Sequence, residues 1–191
     1  MTPAGRLVLA SRSPQRRAIL ELLGVPFEVR PADVPERTSG DPVEVAGENA
    51  LRKARAVAGG GDRRVLGVDT LVALDGTLYG KPADEDAARA TLRALSGARH
   101  TVISGIALLD ASGPEPLRAT AVTAVRFRHL DEATIDWYVA RGEWRGRAGG
   151  YAIQGRGAAL VAAIDGDYTN VVGLPVAALL ELWPEMLVPA R

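Results

Sequence analysis

The stretch VLGVDTLVALDGTLY, residues 65–79, carries the strongest signal for the fold. Its first ten residues are apolar except at Asp69 and Thr70, which predicts a long buried strand. The dipeptide Asp75-Gly76 predicts a tight hairpin turn, and residues 77–79 predict a short partner strand. We therefore expect a sheet with antiparallel pairing and with Asp69 at or within one of its strands.

Strands and helices alternate on the N-terminal side of this stretch. We expect strands at 7–10 and 27–30, helices at 14–23 and 42–58, and a polar, proline-bearing loop at 31–41. Ser13 can cap the first helix with Pro14 at its first position, and Gly24 ends that helix. Gly59-Gly60-Gly61 is expected to end the second helix.

The C-terminal side mixes long strands with shorter helices. We expect helices at 84–95, 131–141 and 175–182, strands at 99–110, 117–128 and 158–164, and loops at 142–157 and 167–175. Ser112-Gly113-Pro114 predicts the turn between the two long strands, and the first of the two loops holds six glycines. A long loop in a compact domain is often functional. The combination of βα units and hairpins predicts an α/β fold with a mixed sheet.

Composition narrows the classes of function. The 23 basic and 23 acidic residues cancel, so no global field favours nucleic acid or an anionic membrane, and any anion site must be local. The absence of cysteine excludes disulfides and thiolate metal sites. No apolar run approaches the roughly 20 residues of a membrane helix, and residues 1–6 lead into a short apolar segment without the longer apolar core that we would expect of a signal peptide. We expect one cytoplasmic domain that spans residues 1–191.

Lysine is scarce, because 21 of the 23 basic residues are arginine. The two lysines are Lys53 and Lys81. Two interpretations are open at this point. Either the function of the protein requires an amine at each of these positions, or both lysines occur by chance in a composition that favours arginine.

The segment from Ser11 to Arg17 lies where the first strand turns into the first helix. Backbone N–H groups and the positive end of a helix dipole favour a phosphate at such a turn. The hydroxyls of Ser11 and Ser13 and one or more guanidinium groups would add charge-assisted donors. The alternative is an ordinary helix cap followed by two solvated arginines. The segment is no Walker sequence, since it lacks the required glycine and lysine.

A carboxylate inside an apolar strand, as expected for Asp69, needs a partner, a metal or a proton. It could hold a divalent ion, orient a water or act as a general base. Lys81 follows the hairpin and Lys53 lies on the preceding helix, so both could reach the same end of the sheet. The alternative is a turn or cap role for Asp69 and solvation for both lysines.

Other polar and aromatic residues give weaker signals. Gln154 lies in the glycine-rich loop, and its amide has the donor and the acceptor needed to read a base edge. His100 and His129 lie in strand-like segments without metal-ligand spacing, so we interpret both as structural. Three further aromatic residues are interpreted as packing residues or loop anchors: Trp137, Tyr138 and Trp144.

Taken in order, these segments resemble the Maf family, also called septum-formation-inhibitor-like proteins. The matching blocks are Leu9-Ala10-Ser11-x-Ser13-Pro14-x-Arg16, Lys53-Ala54, Gly67-x-Asp69-Thr70, Gly80-Lys81-Pro82, Leu95-Ser96-Gly97-x-x-His100, Ala148-Gly149-x-Tyr151-x-Ile153-Gln154-Gly155 and Asn170-Val171-Val172-Gly173-Leu174-Pro175. Each block is weak alone, but seven in the same order over nearly the whole chain are highly specific.

The resemblance implies a mixed α/β fold like that of inosine triphosphate pyrophosphatases, with a cleft between two lobes. It also implies metal-dependent hydrolysis of a nucleoside triphosphate to the monophosphate and diphosphate, with Mg²⁺ or Mn²⁺ as the cofactor. A homodimer is compatible with the resemblance, whereas the sequence itself does not indicate one.

The resemblance also implies roles for individual residues. Asp69 matches the proposed proton acceptor of the family, and we expect it to hold the metal together with Glu36. The other polar residues of the implied cleft are Ser11, Ser13, Arg16, Lys53 and Lys81. We expect Arg16 and the two lysines to neutralise the leaving diphosphate.

Positions 15, 70 and 154 match those linked to base preference in the family. Thr70 and Gln154 resemble the branch that acts on dTTP and UTP rather than the branch that acts on 7-methyl-GTP. Gln15 departs from both patterns, which leaves the base open. Asn49 and Arg147 differ from the commoner leucine and lysine, and we treat both differences as neutral.

Two other functions remain to be distinguished. One is a house-cleaning hydrolase for modified pyrimidine nucleotides. The other is a nucleotide-binding regulator of cell division, or septum formation, that needs no catalysis. The full set of acidic and basic residues in the implied cleft favours catalysis.

Overall fold

The structure, a computed structural model, describes residues 7–59, 64–110, 113 and 115–187. Several features expected from the sequence lie outside these residues. They are the segment 1–6, Gly60 and Gly61 of the glycine triplet, and Ser112 and Pro114 of the expected turn.

Strands and helices alternate in the first half of the described chain, and hairpins follow in the second. The strands are β1 (Leu7–Leu9), β2 (Phe27–Val29), β3 (Arg64–Leu74), β4 (Thr77–Tyr79), β5 (Arg99–Asp110), β6 (Leu117–Phe127) and β7 (Val161–Asp165). The helices are α1 (Pro14–Leu22), α2 (Pro42–Val57), α3 (Glu85–Leu95), α4 (Glu132–Val139), α5 (Tyr168–Val172) and α6 (Val176–Leu182). Short 3₁₀ helices cover Ala148–Gly150, Arg156–Leu160 and Pro184–Leu187.

The strands form one mixed sheet in the order β2-β1-β3-β5-β6-β7, with β4 paired to part of β3. β1 is parallel to both β2 and β3, because the chain returns through α1 and α2 between these strands. The remaining pairs are antiparallel. The α/β class and the mixed sheet expected from the sequence are therefore confirmed.

Two glycines allow α2 to lie directly on the sheet. A Cβ atom added to Gly67 on β3 would lie 2.0 Å from the carbonyl oxygen of Ala50. One added to Gly105 on β5 would lie 2.4 Å from the carbonyl oxygen of Ala46. Since any side chain at these positions would push α2 away, both glycines serve a close approach of backbones.

This close approach brings α2 next to Asp69 on β3. Asp69 lies two residues beyond Gly67 and is paired in register with Gly105, so its side chain is on the face of the sheet that α2 covers. Lys53 lies on the buried side of α2. The packing of one helix on two strands thus sets the distance between the two side chains.

The apolar core contains two large clusters. One joins α3, α4 and the glycine-rich loop around Leu92, Phe127 and Tyr138. The other joins β1, α1 and α6 around Leu9 and Leu20. Elements of both clusters contribute residues to a single cleft. The two-lobed arrangement with a central cleft is therefore confirmed.

Most elements begin and end within about two residues of the expected positions. The last strand is an exception, because residues 156–160 form a 3₁₀ helix and β7 begins only at Val161. The segment 167–175, expected to be a loop, was predicted wrongly. It contains α5, since the Asp167 carboxylate accepts the Thr169 N–H at 2.7 Å and caps a helix that ends at Val172.

No helix in the described part of the chain combines the length and the apolar character that crossing a bilayer requires.

Candidate active site

The cleft gathers every residue that the sequence singled out for it. The lining residues include Ser11, Ser13, Gln15, Arg16, Glu36, Lys53, Asp69, Thr70, Lys81 and Gln154. They come from the β1–α1 turn, the loop after β2, α2, β3, the segment after β4 and the glycine-rich loop. Residues up to 143 positions apart in the chain, from Ser11 to Gln154, are thus brought to one surface.

The β1–α1 turn is built around a helix cap. The Ser13 hydroxyl accepts the backbone N–H of Arg16, and Pro14 occupies the first turn of α1. The same hydroxyl donates to Oε1 of Gln15 at 3.1 Å. The cap expected from the sequence is confirmed, and it fixes the direction in which α1 leaves the sheet.

Arg16 is not the solvated arginine of the alternative interpretation, because only 8% of it is exposed. Its guanidinium donates to the Ser11 hydroxyl at 2.8 Å, to the Gly173 carbonyl at 2.9 Å and to the Thr70 hydroxyl at 3.1 Å. These three bonds hold the guanidinium at the cleft wall. They also tie α1 to β3 and to the turn between α5 and α6.

Burial lowers the pKa of Arg16, and the negative charges of Asp69 and Glu36 oppose that effect. Arginine nevertheless stays protonated in proteins. The cleft therefore contains a permanent, largely desolvated positive charge next to two carboxylates.

Lys53 lies between those two carboxylates. Its Nζ is 2.6 Å from Oδ1 of Asp69 and 2.6 Å from Oε1 of Glu36. Only 8% of Lys53 and 4% of Asp69 is exposed, so the solvated-charge interpretation fails for this lysine as well. A buried ion pair persists where geometry and further hydrogen bonds offset the cost of desolvation.

Burial raises the pKa of Glu36, but the hydrogen bond from Lys53 and the positive charges of Lys53, Lys81 and Arg16 lower it further than burial raises it. The net pKa lies below the usual range. Glu36 is therefore a carboxylate throughout the neutral range.

Lys81 differs from Lys53 in its surroundings. It is exposed at the edge of the cleft, close enough for its charge to lower the pKa of Glu36. Among the described residues, no carboxylate forms an ion pair with Lys81. Its ammonium group is thus available to an anion that enters the cleft.

The three residues that the family resemblance links to base preference lie around the same cleft. The Thr70 hydroxyl is 2.8 Å from the hydroxyl of buried Ser104 and receives the bond from Arg16. Gln15 lies in the first turn of α1, and Gln154 is exposed in the glycine-rich loop. Amide and hydroxyl groups therefore line the cleft in addition to the charged groups.

Asn49 is the site residue that the sequence reasoning missed. Its Nδ2 donates to Oδ2 of Asp69 at 2.9 Å and to the Arg37 carbonyl at 3.0 Å, while its Oδ1 accepts the Arg37 N–H at 2.8 Å. It thus binds the second oxygen of Asp69 and anchors the loop that carries Glu36. The available signal was its position four residues before Lys53, on the same face of a predicted helix.

The histidine interpretation is confirmed for His100, which is 1% exposed and packs edge-on against Phe127 and Tyr151. Its Nε2 is 3.0 Å from the Tyr151 hydroxyl, and burial lowers its pKa to about 4. His129 follows β6 and is exposed, so its assignment to a strand was wrong.

The carboxylates of the cleft decide which metal ions it can bind. Within the described ranges, no group of three or more His, Asp or Glu residues could hold an ion by itself. Glu36 and Asp69 are two carboxylates brought together by one lysine. Two carboxylates suit Mg²⁺, which usually takes one or two carboxylates and completes its shell with water and substrate phosphates. The residues present fit an ion that arrives with a phosphorylated ligand.

An α/β cleft with a buried arginine at a helix N-terminus, a free ammonium group and a carboxylate pair is typical of proteins that bind phosphorylated ligands. A family model described as Maf-like protein matches residues 6–186. The chain belongs to the Maf-like family, as the sequence motifs predicted.

Curated relatives resemble the chain over nearly its whole length. The dTTP/UTP pyrophosphatase of Pelotomaculum thermopropionicum is 48% identical over 179 residues, which cover 92% of this chain and 94% of that protein. The dTTP/UTP pyrophosphatase of Moorella thermoacetica is 50% identical over 181 residues, 93% of each chain. The protein of the same name from Anaeromyxobacter dehalogenans is 49% identical over 179 residues, 91% of this chain and 90% of that one.

Proposed function

We propose that this chain is a nucleoside triphosphate pyrophosphatase, which hydrolyses a triphosphate to the monophosphate and diphosphate in the cleft around Asp69. The observation that supports this most strongly is the Glu36–Lys53–Asp69 arrangement beside buried Arg16. Relatives that are 42–50% identical over most of the chain carry the name dTTP/UTP pyrophosphatase. The alternative, a regulator of cell division without catalysis, has no comparable support.

In this proposal the β1–α1 turn and the basic groups of the cleft bind the phosphates. The turn offers the first-turn backbone of α1 together with the hydroxyls of Ser11 and Ser13. Arg16 and Lys81 supply positive charge that no carboxylate neutralises through a direct ion pair within the described chain. Lys53 supplies a third cation, which holds the two carboxylates in place. Charge stabilisation and positioning dominate phosphoryl transfer.

Asp69 and Glu36 are the residues that would hold a Mg²⁺ or Mn²⁺ ion. When bound, such an ion neutralises charge on the phosphate oxygens and polarises the bond that breaks. The carboxylates themselves have a further task that depends only on the chain. Because Lys53 holds Oδ1 of Asp69 and Asn49 holds Oδ2, the carboxylate is fixed in one orientation.

Asp69 acts as the proton acceptor in this proposal. A water attacks phosphorus, its proton passes to the Asp69 carboxylate, and the bond between the α and β phosphates breaks. The diphosphate leaves with the bonding electrons, and Arg16, Lys53 and Lys81 stabilise the charge that it gains. Lys53 holds the Asp69 carboxylate in place for this step, since its Nζ lies 2.6 Å from Oδ1 of Asp69.

For the base we propose a pyrimidine, as in dTTP, UTP or a modified pyrimidine triphosphate. The names of the relatives support this proposal, and so do the hydroxyl of Thr70 and the amide of Gln154 at the cleft. Gln15 is the residue to vary first. Its side chain already receives the Ser13 hydroxyl bond, so its orientation depends on the helix cap.

We further propose that residues 1–191 form one domain located in the cytoplasm. A continuous sheet that joins both lobes supports the single domain. Homodimerisation remains a proposal that rests on family membership alone.

A panel of triphosphates tests the proposed function. Purified protein is incubated with dTTP, UTP, 5-methyl-UTP, pseudouridine triphosphate and the four purine triphosphates, with and without Mg²⁺, and released diphosphate is measured. We expect turnover of one or more pyrimidine triphosphates that requires the metal. Binding of these nucleotides without any diphosphate release would favour the regulator instead.

A further inference from the structure

Arg147 is a further basic residue of the cleft, in addition to Arg16 and the two lysines. It lies on the glycine-rich loop, and the cleft is lined by Arg147 together with its two neighbours in the chain. Its backbone is fixed on both sides. The N–H of Arg147 donates to the Trp144 carbonyl at 3.2 Å, and its own carbonyl accepts the N–H of Gly150 at 3.1 Å.

The turn that follows Arg147 is attached to the segment that carries Lys81. The N–H of Gly149 donates to the carbonyl of Gly80 at 3.1 Å. Gly149 has a φ of +68°, and a Cβ atom there would lie 2.8 Å from Val72 on β3, so this contact requires glycine. Arg147 and Lys81 therefore project from two segments that are bonded to each other.

The guanidinium of Arg147 has no partner in the described part of the chain. None of those residues accepts a hydrogen bond from it or forms an ion pair with it, and its Nε is buried away from water. A buried N–H without an acceptor is costly, so such groups in native proteins usually serve a ligand or a water. Burial lowers the pKa of Arg147, although electrostatic interactions with Tyr138 and Glu143 oppose this effect.

The neighbouring arginines show that carboxylates are within reach of this loop. Arg145 lies 3.7 Å from Glu85 and stacks on the Trp144 ring at 4.5 Å. Arg156 pairs with Glu143 at 2.9 Å. Both of these arginines have partners within the protein, whereas Arg147, between them in the chain, faces the cleft.

The charge balance of the cleft favours an anionic ligand. Of the described residues that line it, five are basic and three are acidic, so basic groups exceed acidic ones by two. A triphosphate carries about four negative charges, of which a divalent ion cancels about two. The net positive charge of the cleft therefore balances the net negative charge of a metal-bound triphosphate. Without the charge of Arg147 the two would not balance.

We propose that Arg147 is a diphosphate-binding residue, which holds the leaving diphosphate of the substrate together with Lys81. This inference rests on the proposed hydrolysis of triphosphates. The planar guanidinium can bind two oxygens of one phosphate group, whereas Lys81 can bind only as a point charge.

Sodium pyrophosphate is the probe that tests the inference without catalysis. Its dissociation constant is measured by isothermal titration calorimetry on the full chain, once with EDTA and once with Mg²⁺. Arg147→Gln is expected to weaken binding about ten- to one-hundredfold, the loss typical of a charge-assisted hydrogen bond. Arg147→Lys should recover part of that loss, because it restores the charge but not the planar pair of donors.

Two controls separate a binding role from a structural one. Arg145→Gln removes the same charge from the same loop, but from an arginine already paired with Glu85 and Trp144. It should leave pyrophosphate binding within about twofold of the wild type, since exposed ion pairs contribute little. Binding of UMP, which lacks the diphosphate, should be unchanged in Arg147→Gln.

Three results would overturn the inference. They are unchanged pyrophosphate binding in Arg147→Gln, an equal loss in Arg145→Gln, and a loss confined to UMP. Failure of the proposed function is a separate outcome. If the wild type hydrolyses no triphosphate but Arg147 still controls pyrophosphate binding, the function fails and the diphosphate site stands. If the wild type hydrolyses triphosphates and Arg147→Gln binds pyrophosphate normally, only the site fails.

Discussion

At the scale of single residues, the two lysines of the chain have opposite environments. Lys53 is buried between two carboxylates, whereas Lys81 is exposed and pairs with no carboxylate of the described chain. The same side chain therefore has a structural task at one position and a task in binding at the other. Replacing each in turn separates these tasks.

Lys53→Met should unfold more easily than the wild type, because it leaves Asp69 and Glu36 as neighbouring carboxylates without their shared cation. Breaking a buried ion pair costs about 3 kcal/mol or more of the free energy of unfolding. Lys81→Met should change that free energy by less than about 0.5 kcal/mol, as expected at an exposed site. Urea denaturation of both variants measures the difference, and equal stability would contradict the assignment.

Lys81→Met should nevertheless lose activity. We expect kcat/KM for the preferred triphosphate to fall by roughly two orders of magnitude, since the ammonium stabilises charge mainly as the diphosphate leaves. Steady-state diphosphate release measures this loss. Normal kcat/KM in the folded variant would remove Lys81 from the site.

The residues of the site were predictable from the sequence where they belonged to local motifs. The Ser13 cap and the position of Asp69 in a strand follow from neighbouring residues alone. Asn49 could not be assigned, since its three hydrogen bonds reach partners 12 and 20 positions away in the chain. Glu36 entered the predicted set only through the family resemblance, since it lies in none of the matching motifs.

At the scale of elements, the site depends on how closely α2 approaches β3 and β5. Gly67→Ala should push α2 from the sheet, because the new Cβ would lie 2.0 Å from the Ala50 carbonyl oxygen. Overpacking of this kind typically costs about 1–3 kcal/mol, and the displacement of Lys53 from Asp69 should also lower activity. Thermal unfolding and diphosphate release measure the two effects.

Gly80→Ala is the matched control for stability, since a Cβ atom there meets nothing within 4 Å. It should unfold close to the wild-type temperature. If Gly67→Ala behaved like Gly80→Ala, the close approach of α2 would not be what positions Lys53.

The elements were predictable where turn chemistry is strong. Asp75 and Gly76 adopt φ values of +49° and +79°, as the tight turn inferred from their sequence requires. The late start of β7 and the presence of α5 were missed. Both lie in glycine-rich or capped segments where several short conformations compete and packing selects one.

At the scale of the whole molecule, stability should depend on pH through buried His100. Its folded pKa of about 4 lies below the usual histidine pKa of about 6.5, because burial disfavours the charged ring. Between these two pH values the His100 ring therefore binds a proton in the unfolded chain but not in the folded chain. Stability should fall as pH decreases from about 6.5 to about 4, by roughly 3 kcal/mol in total.

His100→Gln removes this titration and should flatten the stability profile over that window. Urea midpoints at several pH values compare the variant with the wild type. Parallel profiles would show that other groups account for the acid sensitivity. The variant loses some stability at every pH, so the slope rather than the absolute value decides.

The proposed hydrolysis depends on Asp69, so Asp69→Asn is the decisive variant for the whole cleft. The variant keeps the shape of the side chain, and Lys53 keeps Glu36 as a partner, so the fold should survive with a nearly normal unfolding temperature. Diphosphate release from dTTP and UTP with Mg²⁺ is compared with the wild type. We predict a loss of at least about a hundredfold, as for a removed general base. Full activity in folded Asp69→Asn would show that Asp69 is not the proton acceptor.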